Sequence, residues 1–323
     1  MHNAVALLLG LAILGLPLAA ESQQATKVWR VAVLTADRPG AVEALVEGLR
    51  ELNYVEGRNL VVEHRRFLRE EDLPLRVAEI VQSNPDVIVT GHGIAALALK
   101  AATRTIPIVM STSSDAVGQG IIASLARPGG NVTGFTNMAT QLTAKRLEVL
   151  LEAAPHAVRI AVLGCETSGR PTSGNAQWLE VRTAAQGKGL TLVPVLVRSA
   201  DELPGAFESA MRKGIDAVLV LECSVFPRAE RVVAVVNKAR VAAVYPVPRY
   251  APAGGLMVYG PNTIEQYRRS AIYVDRILRG TRPADLPVEQ PALFEFIVNA
   301  GTAKALGLTL PRALLLRADK VIE

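Results

Sequence analysis

Residues 91–96, with the sequence GHGIAA, have the glycine spacing of a turn that binds the pyrophosphate of a dinucleotide. The segment follows a predicted strand and opens a predicted helix, as such a turn requires. However, it follows the third predicted strand of its half instead of the first, and four hydroxyl residues separate the next strand from its first acid, Asp115. We therefore predict that the backbone N–H groups of Gly91–Gly93 bind an anionic group of some kind.

Signatures of other catalytic and metal sites are incomplete. Segment 164–171 has the glycines of a phosphate loop, but Arg170-Pro171 stands where a lysine followed by serine or threonine is required. The GxSxG turn of serine hydrolases does not occur in the sequence. The histidines lie far apart, without metal-ligand spacing, at His2, His64, His92 and His156. We predict no enzymatic activity, no metal and no cofactor, with a dinucleotide-dependent enzyme as the alternative.

From Val28 onward, short β-branched runs alternate with segments of helical periodicity, a pattern typical of parallel sheets built from βαβ units. In the first half, the strands are predicted at Arg30–Leu34, Leu60–Glu63, Asp86–Thr90 and Ile106–Met110. In the second half, they are predicted at Arg159–Gly164, Leu190–Val195, Asp216–Leu221 and Val241–Tyr245. The sequence therefore predicts an α/β fold with two doubly wound parallel-sheet lobes.

Elements that remain after the second half indicate that the chain passes between the lobes several times. They are a strand at Leu256–Tyr259, a helix from Thr263 to Leu278 and a strand at Phe294–Val298. The N-terminal lobe is predicted to comprise 28–132 plus 250–285, and the C-terminal lobe 135–246 plus 288–323. The crossings of this multiply crossed hinge are predicted at the Gly- and Pro-rich stretches Gly130–Gly134, Pro246–Pro252 and Pro283–Pro291.

A doubly wound sheet binds ligands outside the carboxyl ends of its strands. Two such edges that face each other form a cleft, and the loops there supply hydroxyl groups, glycines and a few acids, which suits a small polar solute. The predicted ligand-binding residues of the first lobe are Thr35, Asp37, Gly91, His92, Gly93, Ser113 and Asp115. Those of the second lobe are Glu166, Ser168, Glu222, Ser224, Tyr245, Arg249 and Tyr250.

Both cysteines of the chain, Cys165 and Cys223, lie just past the first and third predicted strands of the second half. These strands are neighbours in a 2-1-3-4 strand order, about 4.8 Å apart. A disulfide is then geometrically possible, since bridged Cα atoms lie about 4.4–6.8 Å apart. Two buried thiols are the alternative.

The N-terminal segment Asn3–Ala20 carries no charge and is followed by small and polar residues. This pattern is typical of a cleaved export signal, which we assign to residues 1–22. An uncleaved membrane anchor is the alternative, and it would suit a ligand sensor attached to a signalling partner. Export implies a periplasmic location.

The charge distribution excludes a typical nucleic-acid binder. The 35 lysines and arginines exceed the 30 acids by only 5, and no dense basic run occurs. The nearest cluster, Arg65, Arg66 and Arg69, is followed at once by three acids. A basic stripe with stacking aromatic residues is absent from the sequence, so we expect no nucleic-acid partner.

An ordered set of motifs resembles one protein family. They are PDVIV at 85–89, RPGGNVTG at 127–134, GGLMVYGPN at 254–262, YVDRILRG at 273–280 and LPVEQP at 286–291. Together they resemble the tryptophan/tyrosine-type substrate-binding proteins of ABC transporters, from about Val28 to Glu323. The resemblance implies a bacterial protein with the type I periplasmic-binding fold that captures a small solute and presents it to an ABC permease. We expect it to be a monomer.

If the solute is an amino acid, as this resemblance allows, we expect Gly91–Gly93 to bind its carboxylate and Asp115 or Glu222 to pair with its ammonium group. Tyr245 and Tyr250 are then positioned to flank an apolar side chain. The alternatives are a helix-capping role for Asp115 and a hinge-packing role for the tyrosines. Arg170 or Arg249 would instead admit an anionic solute.

Overall fold

The computed structural model describes residues 27–36, 39–165, 173–223, 226 and 228–323. The predicted export signal at 1–22 lies outside these residues. The first lobe contains five parallel strands in the order β2-β1-β3-β4-β5. Its elements are β1 (Trp29–Thr35), α1 (Ala41–Glu51), β2 (Leu60–Arg66), α2 (Leu73–Gln82), β3 (Val87–Thr90), α3 (Gly93–Ala102), β4 (Ile108–Met110) and β5 (Val132–Gly134).

The second lobe contains a seven-stranded sheet in the order β12-β11-β10-β9-β8-β6-β7. The first stretch of chain in this lobe contains α4 (Leu142–Ala153), β6 (Arg159–Cys165), α5 (Ser173–Ala185), β7 (Thr191–Val197), α6 (Leu203–Arg212), β8 (Ala217–Val220), α7 (Ala229–Val236), β9 (Ala242–Tyr245) and β10 (Met257–Gly260). The chain then enters α8 (Thr263–Leu278), and it ends with β11 (Glu295–Asn299), α9 (Ala300–Leu306), α10 (Arg312–Arg317) and β12 (Lys320–Ile322). Only the pair β10–β11 is antiparallel among the described strand pairs.

Both sheets are covered by helices on two faces, which explains the continuous hydrophobicity of their central strands. In β1, Ala32 and Leu34 pack with residues of α2 and α3. Val31 and Val33 point to the opposite face and pack with residues of α1 and α8. All four side chains are fully buried. The predicted order of the first four strands, 2-1-3-4, is found in each lobe.

The structure corrects two of the predicted crossings. Strand β10 pairs with β9 and β11, so residues 250–260 belong to the second lobe and not to the first. The stretch Pro246–Pro252 therefore forms a turn inside one lobe, because glycine and proline mark turns without showing where a turn leads. The stretch Gly130–Gly134 contains β5, the last strand of the first sheet.

The chain passes between the lobes at three places. It leaves the first sheet after β5 and enters α4, and it returns between β10 and α8. Helix α8 packs along α1, and its Tyr273 hydroxyl donates to the carbonyl of Pro287 at 2.6 Å. The third passage leads from Glu289, which forms an isolated parallel β-bridge with Phe135, into β11. These passages bring the carboxyl ends of both sheets to one region.

Within the described part of the chain, no helix combines the length and apolar character that crossing a bilayer requires. In the same part of the chain, no group of three or more His, Cys, Asp or Glu side chains is arranged to hold a metal ion.

Candidate ligand-binding cleft

The carboxyl edges of the two sheets touch through one carboxylate. Glu222 follows β8 in the second lobe, and its Oε2 accepts a hydrogen bond from the Ser114 hydroxyl at 3.0 Å. The same oxygen accepts a second bond from Asn137 Nδ2 at 2.9 Å. Ser114 lies in the loop after β4, and Asn137 lies just after β5. These contacts join the lobes at the carboxyl edges of their sheets.

The loop after β4 supplies buried hydroxyl groups to this cleft. Ser111, Thr112, Ser113 and Ser114 are each 9% exposed or less. The Ser113 carbonyl accepts hydrogen bonds from the backbone N–H of Asn137 and from the hydroxyl of Thr136, which fixes the loop against the first passage. The Ser113 hydroxyl itself is buried and has no hydrogen-bond partner among the described residues.

Glu222 is held at its backbone by a glutamine of α5. Its N–H donates to Gln177 Oε1 at 3.0 Å, and its carbonyl accepts from Gln177 Nε2 at 3.4 Å. Gln177 is fully buried. This pairing fixes the main chain at Glu222 and points its carboxylate to the other lobe. The second carboxylate oxygen, Oε1, is buried without a hydrogen-bond partner in the part of the chain that the structure describes.

The next residue, Cys223, forms a disulfide with Cys165 at the end of β6. Their Cα atoms are 5.4 Å apart, within the range of bridged cysteines. Of the two alternatives left open by the sequence, the structure thus contains the bridged one. The disulfide restrains the main chain next to Glu222.

The predicted anion-binding turn lies at the same edge of the first lobe. Helix α3 begins at Gly93 after His92, and the His92 side chain makes no capping hydrogen bond to the first turn. A side chain at Gly91 would force its surroundings to shift, because a Cβ atom there would lie 1.9 Å from the buried hydroxyl of Tyr267. The His92 ring packs edge-on against Phe67, with centroids 5.5 Å apart. The uncapped turn is therefore positioned to donate to a carboxylate.

Thr35, the last residue of β1, is buried and shares a hydrogen bond with His64. The Thr35 Oγ1 and His64 Nε2 atoms are 2.8 Å apart. Burial, assisted by the positive charge of Arg66, holds the pKa of His64 below its usual value of 6.5. Thr35 therefore joins β1 to β2, next to the predicted site.

Asp115 has a local structural role, but in a turn of the loop after β4 and not as the helix cap that the sequence left as the alternative. Its Oδ1 accepts the backbone N–H of Gly118 at 2.9 Å and closes a turn. The other carboxylate oxygen also lies over Gly118, where a Cβ atom would be only 2.1 Å from it. Asp115 is thus less suited than Glu222 to pair with a ligand cation.

The two tyrosines pack in the core of the second lobe. The Tyr245 and Tyr250 rings stack with centroids 4.9 Å apart, and each residue is 1% exposed or less. Both rings belong to an apolar cluster with Val233 and Val258. Burial holds the pKa of the Tyr245 hydroxyl well above its usual value of 10. The tyrosines therefore have a packing role, but in the core of the second lobe and not at the hinge as the alternative stated.

Arg249 lies beside this pair and is half-buried. Its guanidinium carbon is 5.0 Å from the centroid of the Tyr250 ring, and its Nη2 donates to the Tyr250 hydroxyl at 3.3 Å. Its Nε is buried without a hydrogen-bond partner among the described residues. Five residues singled out from the sequence lie outside the described part of the chain: Asp37, Glu166, Ser168, Arg170 and Ser224.

A buried arginine organises the hinge next to the cleft. Arg146 on α4 is fully buried, and its guanidinium donates to the carbonyls of Ala139, Tyr259 and Pro246 at 3.0, 2.8 and 3.1 Å. Ala139 lies in the first passage, and Tyr259 lies just before the second. Desolvation lowers the pKa of Arg146 to about 10, while the negative charge of Glu222 acts in the opposite direction.

Sequence reasoning did not select several residues that shape the cleft: Ser114, Asn137, Arg146 and Gln177. Asn137 follows the 127–134 motif by three residues, and Ser114 belongs to the hydroxyl-rich loop, so both could have been predicted from the sequence. Arg146 and Gln177 are each one of several polar residues in their helices, so their residue types do not mark them out. Apart from Ala139, their partners lie 45 or more residues away, so the local sequence carried little signal for them.

Comparisons with known proteins agree with this architecture. A family model described as ABC transporter substrate binding protein matches residues 32–322. A tyrosine-binding protein of Clostridioides difficile is 24% identical over 272 residues, which are 83% of this chain and 76% of the relative.

Two solved structures have similar folds. A conserved domain protein from Vibrio cholerae matches with a TM-score of 0.84 and 26% identity, covering 91% of this chain and 100% of that one. An ABC domain in complex with L-Trp from Streptococcus pneumoniae matches with a TM-score of 0.81 and 23% identity, covering 92% of this chain and 100% of that one. The predicted fold class, two α/β lobes of the type I periplasmic-binding architecture, is confirmed.

Proposed function

The chain belongs to the ABC transporter substrate binding protein family, whose members capture solutes for importers, and on that premise we propose that its cleft binds an amino acid or a closely related small polar solute. The observation that carries the proposal is the contact between the lobes at Glu222, because it places the carboxyl edges of both sheets around one buried polar site. Ligands of doubly wound folds bind at such edges.

The relatives support this solute class. One is named a tyrosine-binding protein, and a second was solved with L-Trp. In this chain, the uncapped start of α3 offers N–H groups to a carboxylate. The hydroxyl groups of the loop after β4 supply further hydrogen bonds from the same lobe.

Closure follows from the same geometry. A ligand shifts the balance between open and closed forms only by the difference in its affinity for the two forms. A solute that contacts the loop after β4 and Glu222 at once makes its full set of contacts only when the lobes are together. The closed protein then presents the solute, chemically unchanged, to its permease.

Members of this family are typically extracytoplasmic. For this chain we propose a periplasmic location after cleavage of residues 1–22. The Cys165–Cys223 disulfide supports an oxidising compartment, since such bonds are rare in the cytosol. Mass spectrometry of the mature N-terminus tests this: a chain beginning near residue 23 is expected, and an intact N-terminus would contradict it.

Native mass spectrometry of protein purified from its own cells tests solute capture, because a tightly bound solute survives purification. A parallel thermal-shift screen uses the twenty L-amino acids, a set of organic acids, and nicotinamide cofactors. We expect a small solute in the native spectrum and a stabilising amino acid in the screen. Stabilisation by a nicotinamide cofactor alone, or recovery of a chemically altered ligand, would favour the enzyme alternative and refute transport.

A further inference from the structure

A partly open cavity of about 530 Å³ lies between the last turns of α3 and the chain that leads from β4 to β5. Leu97, Lys100 and Ala101 line it from α3, and Arg104 lines it from just beyond the helix. The cavity lies away from the cleft, because Lys100 is about 10 Å along the helix axis from Gly93, where α3 begins. Its volume is within the range of small-molecule sites.

The charged side chains that line this cavity are both cations. Lys100 donates from Nζ to the carbonyl of Gly120 at 2.8 Å, so two of its three N–H donors remain for a ligand. Arg104 is exposed, and its guanidinium makes no ion pair or hydrogen bond with any residue that the structure describes. Within the described chain, no acidic side chain lines the cavity. The cavity is therefore electropositive and attracts an anion.

Hydrogen bonds hold the cationic wall in place. Asn131, which also lines the cavity, donates from Nδ2 to the carbonyls of Thr103 and Ile106 at 3.0 and 2.9 Å. These two bonds fix the main chain on both sides of Arg104. A wall that is fixed before binding lowers the ordering cost that a ligand has to overcome.

The remaining wall leaves room for an apolar group. Leu97 and Ala101 present carbon atoms to the cavity, one helical turn apart. Across from them lie Gly120 and Gly130, and a Cβ atom at either glycine would meet no other atom within 4 Å. The space beside the two cations is thus unfilled and partly apolar, which suits a ligand with a hydrophobic body.

The charge balance at the cavity favours a ligand with more than one negative charge. The carboxyl end of α3 contributes about half a negative charge, and the Thr103 carbonyl there is already satisfied by Asn131. The two cations exceed this contribution by about 1.5 charges. A phosphate monoester carries about 1.5–2 negative charges at pH 7 and has three acceptor oxygens, whereas a carboxylate carries only one charge.

From these observations we propose that the cavity is a second ligand site, which binds a small organic phosphate. The phosphate group contacts Lys100 and Arg104, and the organic part lies against Leu97 and Ala101. Arg104 can donate two parallel hydrogen bonds to phosphate oxygens, while the lysine acts as a point charge. The site does not depend on solute capture in the cleft, so each proposal can fail without the other.

Isothermal titration of the wild-type protein with phenyl phosphate tests the site. We expect a dissociation constant below about 1 mM. Benzoate keeps the ring but has a single charge, and we expect it to bind about tenfold more weakly, as for loss of one charge-assisted hydrogen bond. Inorganic phosphate lacks the ring and should also bind about tenfold more weakly. Failure of phenyl phosphate to bind, or equal affinity for either simpler probe, would overturn the proposal.

Variants locate the bound probe. Arg104→Gln should weaken phenyl phosphate binding about tenfold. Ala101→Glu places an acid in the cavity and should weaken binding further, whereas Ala101→Gln, a control of matched size, should change the affinity less than about threefold. Both positions are exposed, so we expect the variants to fold with the wild-type urea midpoint.

Arg182→Gln removes an exposed arginine from α5 of the other lobe and should leave the affinity unchanged. Undiminished binding in Arg104→Gln and Ala101→Glu would show that phenyl phosphate binds elsewhere and would refute this site.

Sedimentation with phosphatidylglycerol vesicles distinguishes a soluble phosphate from a lipid headgroup. We expect phenyl phosphate to bind without any membrane and the wild-type protein to stay in solution when the vesicles are pelleted. Sedimentation that is lost in Arg104→Gln, together with no binding of phenyl phosphate, would assign the cavity to a membrane surface and overturn the proposal.

Discussion

Replacement of Arg146 by methionine tests whether this residue holds the hinge together. The side chain is fully buried and donates to three main-chain carbonyls. The Ala139 carbonyl also accepts from the Thr143 hydroxyl at 2.8 Å and keeps that partner. The main loss therefore falls on the carbonyls of Tyr259 and Pro246.

An unsatisfied buried carbonyl costs about 1–3 kcal/mol, so two of them amount to about 2–6 kcal/mol. Part of this loss in stability is offset, because the folded protein no longer buries a charged guanidinium. We expect Arg146→Met to lower the free energy of unfolding by about 2–4 kcal/mol, a large share of typical domain stability.

Urea unfolding monitored by tryptophan fluorescence measures this loss. The chain has two tryptophans, and Trp178 on α5 packs against the core of the second lobe, which contains α4. In a Trp29→Phe background, the fluorescence signal reports that lobe alone. The matched control is Lys145→Met at the neighbouring, partly exposed residue, whose ion pair with Glu148 has a stabilising effect of about 0.5 kcal/mol or less.

The reasoning would be refuted if Arg146→Met and Lys145→Met had the same midpoint and slope. In that case the three carbonyls would be satisfied in another way, and Arg146 would not organise the hinge. If the urea midpoint falls while the slope of the unfolding free energy against urea concentration stays the same, the substitution has changed stability alone.

Three further predictions concern other parts of the chain. Gly91→Ala should destabilise the first lobe by about 1–3 kcal/mol, because the new Cβ atom meets the Tyr267 hydroxyl. Gly205→Ala on α6 should stabilise the protein by about 0.5–1 kcal/mol, because its Cβ atom would enter open space; equal urea midpoints for the two variants would contradict this prediction. Reduction of the Cys165–Cys223 bond, which spans 58 residues, should cost about 2–4 kcal/mol, and a Cys165→Ala/Cys223→Ala variant that still responded to reductant would exclude this cause. Because burial lowers the pKa of His64 in the folded state, the free energy of unfolding should be highest above pH 6.5 and should fall as the pH drops toward the lowered pKa. This pH dependence should be weaker in His64→Gln, and identical urea unfolding curves of the wild-type protein at about pH 7.5 and about pH 5.5 would refute the prediction.

Much of the fold could be read from local patterns. The helix predicted from Thr263 to Leu278 has those bounds in the structure, and the strand predicted at Arg159–Gly164 extends one residue further. Hydrophobic periodicity is a property of neighbouring residues, so each segment carries its own signal. The adjacency of β6 and β8 follows from the general strand order of doubly wound sheets, which also made the cysteine pairing foreseeable.

The path of the chain between the lobes was harder to predict from the sequence. Residues 250–260 were assigned to the wrong lobe because a Gly- and Pro-rich segment looks the same whether it reverses within a sheet or leaves it. The decisive fact is the hydrogen-bonded pairing of β10 with β9 and β11, which no residue type in β10 encodes by itself.

The sequence by itself determined the two α/β lobes, the sheet edges where a ligand is expected and the family to which the chain is similar, because these depend on local periodicity and on ordered motifs. Only the tertiary structure showed that Glu222 meets Ser114, 108 residues away, and that Asp115 and the two tyrosines are occupied elsewhere. The physical reason is that hydrogen bonding and burial belong to pairs of groups brought together by folding, and the type of a single residue does not fix its partner.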